Sequence, residues 1–347
     1  MPGRRRATLA LPAGACAAAL RVTRRGVTGQ SVTGRGVAGR GVTGLVVAGL
    51  VAGGVVAAAP ALAATSCADT PGSDFYPGPS ASAVYDETFA QGPAIPDLPT
   101  YTPQGLTTWR DWDGAGHDLL VLGTYLKGHR SRLYGIDPAS GARVGSVYIA
   151  EAHAGGVAIA GSWLFVQSVQ GNSNGAVRRY RLSDLRAKMS ADRTPYLSAA
   201  GSQGVYSAEF MGSYGGYIWS GHYRSTGPDK MYQYKVGSDG KLSVVGSSWK
   251  VPPKTQGVLV TADRFVFSSS EGTTGAGKLR VTTKTHDYTT AAGRCFRSPS
   301  MSEGITSWDG KAYLAFEGAS QLYASAARNP VANLHKASVA TLSALTN

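Results

Sequence analysis

The stretch Gln104-Gly105-Leu106-Thr107-Thr108 is one of five copies of a short motif, a small residue followed by alternating apolar positions. The other copies are Gly155-Gly156-Val157-Ala158-Ile159, Ser207-Ala208-Glu209-Phe210-Met211, Gln256-Gly257-Val258-Leu259-Val260 and Glu303-Gly304-Ile305-Thr306-Ser307. The second residue of each copy lies at positions 105, 156, 208, 257 and 304. A spacing of about 50 residues is typical of β-propellers and other repeat arrays.

Each repeat divides into four short apolar segments separated by turn residues. In the first repeat these segments are residues 105–109, 118–124, 132–136 and 143–149. Asp137-Pro138-Ala139-Ser140-Gly141 separates the last two, with the proline and glycine that a tight turn favours. Four antiparallel strands per repeat make a propeller blade. We therefore predict an all-β, five-bladed propeller over residues 101–347, with a six-bladed ring, its degenerate blade near residues 70–100, as the alternative.

Propellers often close by pairing a strand from one terminus with a blade begun at the other. Residues 64–100 are rich in Pro, Gly and Ser, and residues 82–85 are their best candidate for a closing strand. At the other end, residues 336–345 are the candidate. The third strand of the last repeat is predicted at residues 321–323, and a short helical turn at residues 182–192.

Residues 1–63 indicate an export signal with a low-complexity leader. They contain arginines but no lysine and no acidic residue, so most of the formal net charge of +13 belongs to them. The apolar run 45–59 precedes the small-x-small pattern Ala61-Leu62-Ala63. About 15 apolar residues fall short of the roughly 20 that span a membrane. We predict a secreted protein that meets the membrane only through this signal, with an uncleaved anchor as the alternative.

The remaining chain is only mildly basic, which argues against nucleic acid as a partner. Cys16 lies in the leader, so the exported chain keeps Cys67 and Cys295. Two cysteines in an oxidising compartment predict one disulfide between them. Two unpaired thiols are the alternative.

The residues that precede the innermost strands should surround one mouth of the central channel. They are Gln104, Gly155, Ser207, Gln256 and Glu303, with His153 on the loop ahead of Gly155. The loops after the second strands add Tyr125, Ser168, His222, Glu271 and Glu317. Polar groups converging on a concave mouth predict a binding site, and amides with carboxylates suit a small peptide or carbohydrate ligand. The alternative is that they only satisfy backbone groups at the strand starts, with function on an outer protein-binding face.

Several catalytic motifs are missing from the chain. It contains no Gly-x-Ser-x-Gly, no His-Glu-x-x-His and no Cys-x-x-Cys. We therefore assign no metal ligands and leave the cofactor unknown. We expect a monomer. A glycosidase-type carboxylate pair stays open, because it depends on a spacing between carboxylates that only a structure gives.

Two segments, Thr102-Pro103-Gln104-Gly105-Leu106 and Glu303-Gly304-Ile305-Thr306, resemble motifs of glutaminyl-peptide cyclotransferases, a five-bladed propeller family. That resemblance implies an enzyme in which Glu303 transfers the proton and Gln104 orients the substrate. The hairpin at residues 133–138 is similar to units of quinoprotein-like and YncE-like propellers. The whole pattern, with His153-Ala154-Gly155-Gly156 and Met301-Ser302-Glu303-Gly304, most resembles a group of uncharacterised exported actinobacterial propeller proteins.

Overall fold

The computed structural model describes Cys67, Tyr76 and residues 81–168 and 175–346. The predicted export signal lies outside the described residues. Over these described residues, three short helices and twenty strands follow one another. They are α1 Ala83–Thr88, β1 Phe89–Ala94, β2 Thr102–Trp109, β3 Leu119–Tyr125, β4 Ser131–Ile136, β5 Arg143–Ile149, β6 Val157–Ala160, β7 Trp163–Gln167, β8 Ala176–Arg181, α2 Leu182–Lys188, β9 Gly201–Gly204, β10 Phe210–Tyr214, β11 Tyr217–Gly221, β12 Asp229–Val236, β13 Leu242–Val251, β14 Thr255–Val260, β15 Arg264–Ser269, β16 Gly277–Thr283, β17 Gly293–Ser298, β18 Ser302–Trp308, β19 Lys311–Phe316, β20 Asn333–Ser338 and α3 Val339–Ala344.

The strands form five four-stranded antiparallel sheets, the five blades of a propeller. Blades 1 to 4 each use four consecutive strands, beginning at β2, β6, β10 and β14. Blade 5 combines β18, β19 and β20 with β1 from the start of the described chain. The innermost strands contact one another in a closed ring, β2 to β6, β10, β14, β18 and back to β2. The prediction of a five-bladed propeller is confirmed.

The closing strand lies further along the chain than predicted. Residues 82–85 begin helix α1, where the Ser82 hydroxyl accepts from the amide of Tyr85, and β1 follows the helix. The β1–β20 pairing runs from Phe89 opposite Ala337 to Ala94 opposite Asn333. The prediction at residues 321–323 is wrong, because that segment forms turns and β20 is the third strand of blade 5. The predicted segment 336–345 contains the end of β20 and then α3.

The recurrent small residue of the motif is required by the close approach of neighbouring inner strands. A Cβ atom on Gly156 would lie 2.1 Å from the carbonyl oxygen of Ala208. A Cβ on Gly257 would lie 2.6 Å from the carbonyl oxygen of Glu303 in the next blade. Since real Cβ atoms do not approach oxygen this closely, a larger residue would force the blades apart. The repeated motif therefore has a steric cause at the ring contacts.

The core consists of apolar layers between adjacent blades. One layer joins Trp109 and Leu133 of blade 1 to Leu164 and Tyr180 of blade 2. Another joins Trp219 of blade 3 to Phe265 and Phe267 of blade 4. A blade alone leaves both faces exposed, so these layers are what makes the ring a stable unit. In the described part of the chain, no helix has the length and apolar character needed to cross a membrane.

A disulfide joins Cys67 to Cys295 on β17, the outermost strand of blade 4, with the two Cα atoms 4.6 Å apart. The same strand supports the chain that leads into the closing strand, because the Ser82 hydroxyl donates to the carbonyl oxygen of Arg297 at 2.8 Å. The predicted cysteine pairing is therefore present, and it attaches the segment before the closing strand to the blade next to the seam.

Candidate functional site

Two glutamates are buried together at the channel mouth where the inner strands begin. Glu303 lies at the start of β18, and Glu317 follows the end of β19. Their exposed fractions are 1% and 7%. Burying two carboxyl groups is costly unless each is hydrogen-bonded, so their partners define the site.

Each carboxyl group accepts from the amide of a glutamine on a neighbouring inner strand. The Gln256 amide donates to Glu303 Oε1 at 3.0 Å, and the Gln104 amide donates to Glu317 Oε2 at 2.6 Å. The two glutamates also share a hydrogen bond, which the protonated carboxyl group of Glu303 donates to Glu317. Four of the predicted site residues thus form one hydrogen-bonded group, which we call the acid pair and its amides.

Burial sets the protonation of the acid pair. It raises the pKa of Glu303 well above its usual value, and the Glu317 carboxylate raises it further. Burial also raises the pKa of Glu317 to about 7, against the opposing hydrogen bonds from Gln104 and Glu303. The pair therefore holds a proton at neutral pH, and the two carboxyl groups share it in their hydrogen bond.

Three tyrosines surround the acid pair. The hydroxyls of Tyr125 and Tyr323 are 3.5 Å apart. Burial raises the pKa of both phenols, and so do the nearby carboxyl groups of Glu317 and Glu303. The pKa of Tyr223 is raised by burial and by Glu303, Glu271 and Glu209, against the lowering effect of Lys254. Tyr125 was predicted at this mouth, whereas Tyr223 and Tyr323 were not separable in the sequence from the aromatics that fill the blade layers.

A second titratable group lies on blade 3 and centres on His222. Its Nδ1 is 2.7 Å from Asp229 Oδ2, and its Nε2 is 3.4 Å from Glu209 Oε2. The Tyr206 hydroxyl donates to the other oxygen of Asp229 at 2.8 Å. Burial raises the pKa of Glu209. We call Glu209, His222 and Asp229 the histidine relay, since one imidazole connects two carboxyl groups.

Glu209 is the functional residue that the sequence analysis missed. Ser207 was predicted to reach the mouth, but its side chain is fully buried and its hydroxyl donates to Glu209 Oε2 at 3.3 Å. The backbone amide of Tyr223 donates to the same oxygen at 2.6 Å. Glu209 was assigned to the apolar alternation of its motif copy, although a carboxylate at a position that is apolar in the other copies was the available signal.

His153 and Glu271 lie apart from these two groups. The His153 ring lies 4.4 Å from the ring of Tyr125, burial lowers its pKa to about 4, and its buried Nδ1 has no hydrogen-bond partner among the described residues. Both rings line a cavity of about 280 Å³ beside Ser168. Glu271 forms ion pairs with Lys254 and, at 2.7 Å, with Lys278. Burial would raise its pKa, but the two lysines outweigh that effect and lower it.

The predicted site residues thus fall into separate environments. The structure brings Gln104, Gln256, Glu303 and Glu317 together, and it places Ser207 and His222 with Glu209. Over the described residues, no group of three or more His, Cys, Asp or Glu side chains is arranged to hold a metal ion. The chemistry available at this mouth is proton transfer and hydrogen bonding to polar groups.

Comparisons with known proteins found likeness in structure alone. No protein-family model and no curated protein matches the chain. A GH43_1 enzyme from Xanthomonas citri aligns over 74% of this chain and 92% of its own, with 14% identity and a TM-score of 0.42. A quinonprotein alcohol dehydrogenase-like protein from Bacteroides thetaiotaomicron aligns over 64% of this chain and 50% of its own, with 12% identity and a TM-score of 0.33. At such identities the likeness concerns architecture and assigns no activity.

Proposed function

We propose that this chain is a secreted β-propeller protein that binds a peptide or carbohydrate ligand at the channel mouth beside the acid pair. The observation that carries the proposal is the buried pair Glu303 and Glu317 with the amides of Gln256 and Gln104. A polar network of this kind in the interior of a ring is costly unless fully satisfied. Its position at the convergence of three inner strands favours a role in recognition.

The chemistry of the mouth suits neutral polar groups. A protonated carboxyl donates, a carboxylate accepts, and side-chain amides do both, which matches the hydroxyls of a sugar or the amides of a peptide. Tyr125, Tyr223 and Tyr323 add flat amphipathic surfaces of the kind that pack on sugar rings and peptide planes. An anionic ligand would be repelled by the carboxylates.

Secretion is supported by the leader in the sequence and by the disulfide. A disulfide between Cys67 and Cys295 persists in an oxidising compartment outside the cytosol. The inner strands of the five sheets contact one another in a closed ring, which places the inner edge of every sheet inside the molecule. We propose a monomer.

The test is thermal unfolding of the oxidised protein beginning at Ala64, titrated with neutral oligosaccharides and short peptides. A ligand that binds the native state raises the midpoint by mass action. We expect the rise to disappear in Glu303→Gln and in Gln256→Leu, because both change the hydrogen-bonded pair of Gln256 and Glu303 that shapes this mouth. Glu87→Gln is the matched control, since it makes the same change on the exposed face of α1. A rise that survives both mouth variants would overturn the proposal.

An enzyme of the cyclotransferase type is the second candidate, because the pKa of Glu317 at about 7 suits a group that exchanges protons at neutral pH. In that reaction the terminal amine of a glutamine peptide attacks its own side-chain amide carbon. A lactam forms, and the proton of the amine passes through Glu303 to the departing ammonia. Gln104 was predicted to orient the substrate, and in the structure it binds Glu317. Ammonia release from glutamine-initial peptides, abolished by Glu303→Gln in a folded protein, would support this candidate.

A further inference from the structure

The opposite end of the channel contains two adjoining cavities. One, of about 380 Å³, lies among the ends of the inner strands, and the other, of about 550 Å³, extends toward the turn between β6 and β7. Trp109, Arg110, Gly161 and Leu182 line both cavities. The two therefore form one continuous concave surface, and neither Glu303 nor Glu317 lines it.

Three arginines line the larger cavity, Arg110, Arg181 and Arg186. Arg186 donates to the backbone carbonyl oxygens of Trp112 and Asp111, which position its guanidinium and leave its charge uncompensated by these bonds. Arg181 reaches Asp184 only at 4.0 Å, with more than half of its side chain exposed. Arg110 pairs with Asp118 at 2.7 Å. The guanidiniums of Arg181 and Arg186 can therefore still form charge-assisted hydrogen bonds with an anion.

Neighbouring side chains hold this arrangement in place. The indole of Trp163 donates to the carbonyl oxygen of Ser238 at 3.1 Å, and the guanidinium of Arg181 lies 5.4 Å from the Trp163 ring centre. Asp111 is the carboxylate that lines the cavity, and its Oδ1 accepts from the amide of Gly116 at 2.8 Å. The lining therefore has an excess of positive charge on partly fixed groups.

The smaller cavity offers neutral polar groups. The hydroxyls of Thr108 and Thr306 are 3.2 Å apart across the contact between blades 1 and 5, and Ser213 lines the same space. A molecule that spans both cavities would place an uncharged polar body among hydroxyls and an anionic group against guanidiniums. Arg110 lies where the two parts would join.

We propose that these cavities form a second binding site, which takes a small sugar that carries a phosphate or a carboxylate. The anionic group binds Arg181 and Arg186, and the sugar hydroxyls enter the cavity lined by Thr108 and Thr306. This site is independent of the proposed function of the acid pair. It requires neither Glu303 nor Glu317.

Isothermal titration with glucose 6-phosphate, glucuronate, glucose and inorganic phosphate tests the proposal and distinguishes the anion. We expect one of the two anionic sugars to bind more tightly than glucose and than inorganic phosphate. Arg186→Gln and Arg181→Gln should each weaken that binding roughly tenfold or more, because each removes a charge-assisted hydrogen bond. Arg143→Gln, a matched change on the exposed start of β5, should leave it unchanged.

The proposal is overturned if neither anionic sugar binds, if glucose binds as well as its phosphate, or if Arg143→Gln weakens binding as much as Arg186→Gln. Glu303→Gln separates the two sites. Binding of the anionic sugar that is intact in Glu303→Gln supports a second site, and binding lost in Glu303→Gln places the ligand at the acid pair instead.

Discussion

The two ends of the central channel are built from the same five strands and differ in how they carry charge. At the starts of the strands, Glu303 and Glu317 are nearly inaccessible and bind the amides of Gln256 and Gln104. At the ends of the strands, arginines are exposed around open cavities. We call these two ends of the channel the acid end and the arginine end.

The two ends also differ in how tightly their glycines are packed. At the acid end, a Cβ on Gly156 or Gly257 would collide with the backbone of the next blade. At the arginine end, the turn glycines Gly161, Gly215 and Gly310 have no described atom beyond their chain neighbours within 4 Å of that position, whereas Gly212 on the inner strand β10 would place its Cβ 2.3 Å from the carbonyl oxygen of Val258. The charge of a buried carboxyl group changes with pH in the neutral range, because burial raises its pKa. The interactions of an exposed charge are instead screened by salt. The acid end should therefore respond to pH and the arginine end to ionic strength.

The largest expected effect concerns the disulfide, which belongs to neither end of the channel. Its removal should lower the free energy of unfolding of the whole propeller. It closes a loop over a sequence separation of 228 residues. The chain-entropy account gives a loss of roughly 5 kcal/mol for a loop of this size. Denaturant unfolding of Cys67→Ser/Cys295→Ser against the oxidised parent measures the loss. A loss under about 1 kcal/mol would contradict the expectation that the disulfide reduces the conformational entropy of the unfolded chain.

The next effect is a pH dependence of stability that comes from the acid end. The pKa of Glu317 rises from its usual 4.5 to about 7 on folding, so the native state binds protons more tightly than the unfolded chain. The stability that the protonated Glu317 contributes is fully present below pH 4.5 and is lost as the pH rises through about 7. The fall attributable to this group is at most about 3 kcal/mol.

The measurement is the free energy of unfolding between mildly acidic and mildly basic pH. Glu317→Gln should make the profile less steep over this range, because only Glu303 then keeps a raised pKa, whereas the exposed Glu87→Gln should keep the slope of the parent. Equal slopes in the parent and in Glu317→Gln would show that Glu317 does not contribute to the pH response.

A smaller effect tests the difference in packing. Gly156→Ala places a methyl group 2.1 Å from the carbonyl oxygen of Ala208, and we expect a loss of about 1–3 kcal/mol from overpacking. Gly204→Ala on the outer strand of the same blade is the control, because among the described residues nothing beyond its chain neighbours lies within 4 Å of its Cβ position. Thermal unfolding of both variants decides it. Equal losses would mean that the inner ring tolerates the methyl group.

The smallest effect is expected at the arginine end. Arg186→Gln removes an exposed guanidinium that bonds backbone carbonyls, and we expect the free energy of unfolding to change by no more than about 0.5 kcal/mol. Denaturant unfolding at low and at high salt checks this. A loss above about 2 kcal/mol would mean that Arg186 holds the turn between β2 and β3 in place, and that its charge serves the fold.

The repeated motif predicted most of the fold, because its period and its small residue follow from local packing that every blade shares. Gln104, Gln256 and Glu303 were placed at one mouth by their common position before that residue. The closing strand was misplaced, since residues 82–85 and Phe89–Ala94 both permit extended structure and only the partner strand β20 decides between them. The third strand of blade 5 was predicted at residues 321–323 for the same reason, because only the pairing with β19 identifies it as β20.

The contacts within the site were beyond prediction. Gln104 bonds Glu317, 213 positions away, because closure of the ring makes the first and last blades neighbours. Glu209 became part of the histidine relay because its side chain reaches the loop after β11. Neither pairing has a local sequence signal.

By itself the sequence determined the number of blades, the close-packed glycines and the polar residue types at the strand starts, all of which repeat with the chain. Tertiary structure alone decided which side chains meet, how deeply they are buried, and therefore which carboxyl groups keep a proton. The physical reason is that strand period and turn residues act over a few neighbours, whereas desolvation and hydrogen bonding of Glu303 and Glu317 depend on blades from across the whole ring.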